Sequence, residues 1–139
     1  MKFLQLNSLP RSADLGLLLL RLWFGGGMLW LHGWGKLTAY STLAGKFPDP
    51  LGVGSGVSLG FTVFAETACA ALLVLGLFTR LAALFGAVVM GVAFWLIHGH
   101  QLSGPQSGEL ALCYFVGYAA LFVAGGGRLS LDAAAGSKG

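Results

Sequence analysis

The chain alternates between long apolar stretches and short polar breaks, and the apolar stretches have the length of membrane-spanning helices. A helix needs about 20 apolar residues to cross the hydrocarbon core of a bilayer. The run from residue 58 to residue 98 is too long for one crossing, and "GLFTR" at residues 76–80 interrupts it with a glycine, a threonine and an arginine. The pattern therefore predicts four spans, near residues 15–36, 58–77, 81–98 and 108–125.

These spans are predicted to be helices, because none shows the alternation of apolar and polar residues that is typical of strands in a membrane barrel. Lipid cannot form hydrogen bonds with an open backbone, so a helix is the remaining way to cross the bilayer. We therefore expect an all-α fold, an integral membrane four-helix bundle. Residues 1–139 are expected to form a single domain.

Composition points to the same class of protein. Of the 139 residues, 56% are hydrophobic and 9% are charged, and the mean hydropathy is +0.80. Soluble domains carry about 25% charged residues. The eight Lys and Arg residues outnumber the five Asp and Glu residues, but they do not cluster as a nucleic-acid interface requires. We expect the lipid bilayer as a partner and no nucleic acid.

The distribution of positive charge predicts the orientation of the bundle. With four spans, both termini lie on one side of the membrane, and cytoplasmic segments are enriched in Lys and Arg. The side of the termini carries five such residues: Lys2, Arg11, Arg80, Arg128 and Lys138. The other side carries Lys36 and Lys46. Both termini are therefore predicted to be cytoplasmic. The first apolar run has no small-x-small cleavage site, so we expect it to be retained rather than removed as a signal peptide.

Polar residues inside the spans are the candidate functional residues, because a charge inside lipid costs about 2.5–3.5 kcal/mol at a helix centre on insertion scales. One face of the first span is predicted to carry residues that recur every three or four positions, namely Arg21, Gly25, Met28, His32 and Lys36. Arg21 and His32 on this face are eleven residues apart. The predicted orientation places five polar residues in the outer half of the membrane, namely His32, Glu66, His98, His100 and Glu109. The candidate polar pocket comprises Arg21, His32, Glu66, His98 and Glu109.

Each member of this set also has a structural interpretation. Glu66 lies between apolar segments, so it must pair or take up a proton, and Arg21 and His32 are its expected partners. Arg21 has the alternative of reaching the cytoplasmic interface. His98 and the nearby His100 have the alternative of ending the third helix in water. Glu109 has the alternative of complementing a helix dipole.

Several other features leave two interpretations open. Lys36, Arg80 and Arg128 are interpreted as anchors at the membrane interface. The loop at residues 37–57 is either a connector or a lid over the outer end of the bundle. No metal-ligand spacing stands out, so no metal is assigned. The two cysteines, Cys69 and Cys113, belong to no Cys-x-x-Cys motif and are expected to be free thiols.

Three motifs resemble the DoxX family of small bacterial membrane proteins. They are "RLWFGGGMLWLHGWGKL" at 21–37, "ETACAALLVLGLFTRLAAL" at 66–84 and "GELALCYFVGYAALFVAGGGRLSLD" at 108–132. The resemblance implies four transmembrane helices in the bacterial cytoplasmic (inner) membrane and membership of a redox complex, since one relative is the membrane subunit of a thiosulfate:quinone oxidoreductase. The family's polar positions correspond to Arg21, His32, Lys36, Glu66, Arg80, Glu109, Arg128, Ser130 and Asp132. None of them is an established catalytic residue.

The leading hypothesis is that the chain is the membrane subunit of a quinone-linked oxidoreductase complex, with its outer polar pocket binding the quinone headgroup or passing protons to it. No nucleotide-binding or iron–sulfur motif is found in the sequence, so a flavin or metal centre is expected on a partner subunit. Whether the chain is itself an enzyme, and whether it forms a homo-oligomer, stay open. The alternatives are a non-catalytic scaffold that recruits partner proteins and, with less support, a transporter of a small solute.

Overall fold

The computed structural model describes residues 12–136, and over that range the chain is all-helical, without a strand. The all-α prediction is therefore confirmed. The helices of the described chain are α1 (Ala13–Thr38), α2 (Tyr40–Leu43), α3 (Ser55–Leu75), α4 (Thr79–Ile97), α5 (Glu109–Ala124) and α6 (Leu131–Ala134).

Three of these helices, α1, α3 and α4, are long and apolar enough to cross a membrane. Helix α5 is apolar but has 16 residues. At about 1.5 Å per residue it extends roughly 24 Å, which is less than the hydrocarbon core of about 30 Å. The structure therefore supports an integral membrane protein with at least three candidate spans, and a fourth crossing by α5 stays a prediction.

The predicted break at residues 76–80 is a tight turn between α3 and α4. Gly76 adopts a left-handed conformation with φ of 68°, and the backbone N–H of Leu77 donates to the carbonyl of Leu72 at 2.9 Å. This is the helix-ending turn that glycine favours. On the other side of the turn, the carboxylate of Asp132 accepts hydrogen bonds from the first backbone N–H groups of α4. The split of the long apolar run into two helices is confirmed.

Small residues bring the helices close together. Helices α4 and α5 form the most extensive pair, and a Cβ atom added to Gly86 of α4 would lie 2.7 Å from the ring of Tyr118 on α5. A Cβ atom on Gly25 of α1 would lie 2.7 Å from the carbonyl oxygen of Ala70 on α3. Close approach at small residues is how helices associate in lipid, where no hydrophobic force drives them together.

The three long helices contain π-helical turns, in which a backbone N–H bonds to the carbonyl five residues earlier rather than four. Such turns hold more residues than an α-helical turn and are frequent at functional sites. They occupy Leu22–Gly27 and Leu29–Gly33 in α1, Ala65–Cys69 in α3 and Ala93–Ile97 at the end of α4.

Candidate functional site

A cavity of about 570 Å³ opens between α1, α3, α4 and α5 in the half of the bundle that the charge distribution predicts to be outer. Its volume lies within the range of about 300–1,000 Å³ that is typical of small-molecule sites. Most of its walls are apolar. Its polar side chains come from all four helices and from the segment before α5, namely His32, Lys36, Ser58, Thr62, Glu66, His98, Ser107 and Tyr114.

An ion pair between Lys36 and Glu66 is the polar centre of this cavity. The Nζ atom of Lys36 donates to the Oε2 atom of Glu66 at 2.6 Å, a short charge-assisted hydrogen bond. The Glu66 side chain is 5% exposed and the Lys36 side chain is 26% exposed. Lys36 therefore reaches toward the cavity opening, whereas the carboxylate of Glu66 is almost fully buried.

The expected pairing of Glu66 with Arg21 or His32 is therefore wrong. The helix-packing contact at Gly33 explains the choice of Lys36. A Cβ atom on Gly33 would collide with the backbone carbonyl of Glu66, so α1 and α3 nearly touch at this level. Lys36 follows Gly33 by about one turn, and its long side chain folds back onto the carboxylate. It acts as a buried partner rather than as a simple interfacial anchor.

His32 lines the same cavity without a hydrogen bond to Glu66. Its ring packs edge-on against the ring of Tyr114 from α5, with the ring centroids 5.7 Å apart. Tyr114 is buried, and its hydroxyl would lie 3.1 Å from a Cβ atom on Gly27. The imidazole is thus held at the contact between α1 and α5, and it lines the same cavity as the ion pair.

His98 also lines the cavity, at the end of α4. Its Nδ1 donates to the carbonyl of Gln106 at 3.0 Å, and this hydrogen bond fixes the orientation of the ring. His100 is exposed and is not part of the wall. Glu109 is exposed at the first turn of α5 and does not line the cavity. Its position matches the helix-dipole interpretation.

Arg21 lies at the opposite end of the bundle and does not belong to this pocket. Its side chain is 1% exposed, and its guanidinium donates to the carbonyls of Leu73 and Val74 at 3.3 Å each and to the carbonyl of Leu129. The last carbonyls of a helix lack partners within it, so Arg21 caps the end of α3 and fastens it to the segment after α5. Of the candidate set, the structure brings together His32, Glu66 and His98, and separates Arg21 and Glu109 from them.

The outer loop forms one wall of the cavity. Its apolar side chains that face the cavity are Phe47, Pro48, Pro50, Leu51 and Val53. Asp49 holds this segment in place, since its carboxylate accepts hydrogen bonds from the Ser58 hydroxyl at 2.7 Å and from the backbone N–H of Gly54 at 2.8 Å. These two contacts, in that order, hold the pKa of Asp49 below its ordinary value. Of the two interpretations of the loop, a connector or a lid over the outer end of the bundle, these contacts support the lid.

The two cysteines and the side chains that could bind a metal can be located in the described part of the structure. Cys69 and Cys113 are both free, the first buried and the second on the outer surface of the bundle. Across residues 12–136, no three His, Cys, Asp or Glu side chains come together in a group that could hold a metal ion.

Three contributors to the cavity lie outside the predicted polar pocket. Lys36 is predicted to share a face with His32, but it is interpreted as an interfacial anchor and not as the partner of Glu66. Tyr114 gave no signal, because an aromatic residue in an apolar helix is ordinary. The wall formed by the outer loop depends on the Asp49 contacts, which only the folded chain shows.

Comparison with known proteins adds the family. A family model described as DoxX matches residues 16–99, more than half of the chain. The chain belongs to the DoxX family. The match covers α1 from residue 16 onward together with α3 and α4, and it ends before α5. It includes His32, Lys36 and Glu66. Comparison with curated proteins and with solved structures gave no significant match.

Proposed function

We propose that this DoxX-family protein is a subunit of a quinone-linked oxidoreductase complex of the bacterial cytoplasmic membrane, and that its cavity binds the quinone headgroup. The observation that carries the proposal is the combination of two surfaces in one cavity. The cavity holds the Lys36–Glu66 pair and His32, and the rest of its wall is mostly apolar and includes side chains that are exposed on the outside of the bundle.

The opening toward lipid lies between α3 and α4. Phe61 on α3 and Val88 on α4 both line the cavity, and they are 59% and 56% exposed on the outer surface of the bundle. Toward the other end of the bundle, the rings of Phe64 and Phe85 meet edge-on with centroids 5.5 Å apart and close the gap between the helices. A ligand with an isoprenoid tail can therefore enter from the bilayer and leave its tail between α3 and α4.

The polar side chains fit the headgroup chemistry. A bound quinone accepts two electrons and two protons to become a quinol, and its carbonyl oxygens need hydrogen-bond donors. Lys36 has three donors and uses one on Glu66. His32 lines the same cavity, and its neutral imidazole has one ring nitrogen that donates and one that accepts. In this proposal Lys36 and His32 orient the headgroup, Glu66 holds Lys36 in place, and a partner subunit delivers the electrons.

A binding experiment tests this proposal. The purified protein in lipid nanodiscs should bind a short-chain quinone analogue, measured by quenching of tryptophan fluorescence. His32→Phe keeps the aromatic contact with Tyr114 but removes the imidazole nitrogens, so it should weaken binding by about tenfold, the equivalent of about 1.4 kcal/mol. The matched control is His100→Phe, an exposed position outside the cavity, which should leave affinity unchanged. Equal affinity in both variants, or no binding by the native protein, would overturn the proposal.

The orientation belongs to the same proposal. Both termini are assigned to the cytoplasm, with α5 completing a fourth crossing. Among the described residues, Arg80 and Arg128 lie at the same end of the bundle as Arg21. Lys36 and Lys46 lie at the opposite end, where the cavity is. The other three charges of the prediction, Lys2, Arg11 and Lys138, lie outside the described residues. In a cysteine-free background, Ser103→Cys should react with a membrane-impermeant maleimide in intact cells, whereas Ala135→Cys should react only after lysis. The reverse pattern would refute the orientation.

A further inference from the structure

A second cavity, of about 510 Å³, lies at the opposite end of the bundle, between the start of α4 and the segment that follows α5. Two arginines line it, Arg80 from the first turn of α4 and Arg128 from the segment after α5. Three consecutive glycines, Gly125–Gly127, form another part of its wall. The quinone proposal makes no use of this cavity.

The side chain of Arg80 is held by a backbone carbonyl, and neither arginine is in a salt bridge with a described residue. Arg80 donates one hydrogen bond from Nη2 to the carbonyl of Val123 at 3.3 Å, and a Cβ atom on Gly125 would lie 3.5 Å from its Nε. A guanidinium has five N–H donors, so most of those on Arg80 stay available. Between residues 12 and 136, no salt bridge involves Arg80 or Arg128, and both side chains are exposed.

Two carboxylates also line the cavity, and both accept hydrogen bonds from backbone N–H groups. Asp14 accepts from the N–H of Arg128 at 2.7 Å, and Asp132 accepts from the N–H groups of Phe78 at 2.7 Å and Thr79 at 2.9 Å. Burial raises the pKa of Asp132, but these hydrogen bonds and the charge of Arg21 outweigh it, so the pKa lies below its ordinary value. Both carboxylates keep their negative charge, but Asp132 uses both of its oxygens to cap α4. The side-chain groups that are left to meet a ligand are mainly the N–H donors of Arg80 and Arg128.

The glycine segment adds donors that side chains could not place there. Gly125 and Gly127 have φ values of 80° and 70°, which suit glycine. Within the described part of the chain, the backbone N–H groups of Gly126 and Gly127 donate to no carbonyl or side chain. Backbone N–H groups in a turn beside guanidinium groups are the usual surroundings of a bound phosphate.

The surface next to this cavity is apolar and faces lipid. Phe78 and Leu81 line the cavity and are 62% and 56% exposed, and Val123, whose carbonyl holds Arg80, is 74% exposed. Basic pockets between membrane helices, at the level of the headgroups, bind anionic phospholipids. We infer that this second cavity binds a phosphate-bearing anion through Arg80, Arg128 and the Gly126–Gly127 backbone. The two sources of that chemistry are the headgroup of an anionic phospholipid and free phosphate.

Native mass spectrometry of the detergent-solubilised protein tests the inference and separates the two sources. Phosphatidylglycerol should stay bound, and phosphatidylcholine with the same acyl chains should not. Arg80→Gln combined with Arg128→Gln should raise the dissociation constant for phosphatidylglycerol at least tenfold. Lys46→Gln, which removes an exposed cation at the other end, is the control and should leave it unchanged. Arg128→Gln alone, at an exposed side chain, should give a smaller loss and serves if the double variant does not fold.

The remaining arm adds inorganic phosphate. If phosphate displaces phosphatidylglycerol at concentrations near its own dissociation constant and binds as tightly, the site is one for a free anion. If phosphate displaces it only in large excess, the ligand is the lipid, with its chains on Phe78 and Leu81. Equal retention of the two lipids without phosphate binding, or undiminished phosphatidylglycerol binding by the folded arginine variants, would overturn the inference.

Discussion

Replacing Lys36 by methionine should destabilise the protein more than replacing its partner Glu66 by glutamine. The ion pair is asymmetric, since the Glu66 side chain is 5% exposed and the Lys36 side chain is 26% exposed. Lys36→Met leaves an almost fully buried carboxylate without its cation. Breaking a buried pair in this way costs about 3–5 kcal/mol, and the partial exposure of Lys36 places the expected loss at the lower end, about 3 kcal/mol.

Glu66→Gln has a smaller expected effect for two reasons. The amide oxygen of glutamine still accepts a hydrogen bond from Lys36, and Lys36 can also turn its ammonium group toward the cavity opening. The loss should be about 1 kcal/mol, the value of an ordinary hydrogen bond. The double variant leaves no unpaired carboxylate, so it should lose about 1 kcal/mol rather than the sum of the two single losses. The coupling free energy between the two positions is then about 3 kcal/mol.

The free energy of unfolding can be followed in detergent micelles by titration with sodium dodecyl sulfate, with the four tryptophans as the fluorescent probe. Lys46→Met, an exposed lysine of the outer loop, is the matched control and should change stability by less than about 0.5 kcal/mol. If the loss in the double variant equals the sum of the single losses within about 0.5 kcal/mol, the two positions are independent. That result would refute the ion pair as the polar centre of the cavity.

Three further variants can be measured in the same assay. Arg21→Met removes the donor of three backbone carbonyls and should cost about 3 kcal/mol, with little recovery in Arg21→Lys because an ammonium group cannot span the same acceptors; a loss below about 1 kcal/mol would contradict the capping role. Asp132→Ala should cost about 1 kcal/mol at pH 7. Because the folded-state pKa of Asp132 is lowered, its contribution to stability is present above the unfolded pKa, near 3.9, and is lost as pH falls through the folded value. The loss of stability in Asp132→Ala should therefore be smaller at pH 3 than at pH 7, and equal losses at the two pH values would contradict this role. Gly33→Ala should separate α1 from α3 and weaken the coupling between Lys36 and Glu66, whereas Gly35→Ala, with open space around it, should not.

Helix positions were the most predictable part of the fold. Apolar length alone located α1, α3 and α4, and the turn at Gly76 was visible because glycine and arginine interrupted an apolar run. Helix α5 shows the limit of that argument: the predicted span at residues 108–125 carries one charge, Glu109, yet the helix has 16 residues. Length and hydropathy describe how well a segment tolerates lipid, but the ends of a helix depend on caps and turns formed with other segments.

Side-chain pairing was less predictable than the helices, because it depends on how far each helix rotates between its polar residues. The expectation that Arg21 and His32 share a face assumed α-helical turns throughout α1. Two π-helical segments, Leu22–Gly27 and Leu29–Gly33, lie between these residues. A π-helical turn holds more residues than an α-helical turn, so the rotation between these two residues cannot be read from α-helical spacing. The sequence has no known marker for these wide turns.

The same wide turns connect the geometry of the bundle to its cavity. The π-helical segment Leu29–Gly33 contains His32, Ala65–Cys69 contains Glu66, and Ala93–Ile97 ends next to His98. Each helix that brings one of these residues to the cavity therefore departs from regular α-helical geometry at that level. A π-helical turn weakens local hydrogen bonding, and such turns are found mostly where a site requires them. The fourth π-helical segment, Leu22–Gly27, lies outside the cavity, where Gly25 packs against α3. Three of the four segments therefore lie at the level of the cavity, as the proposed binding role would require.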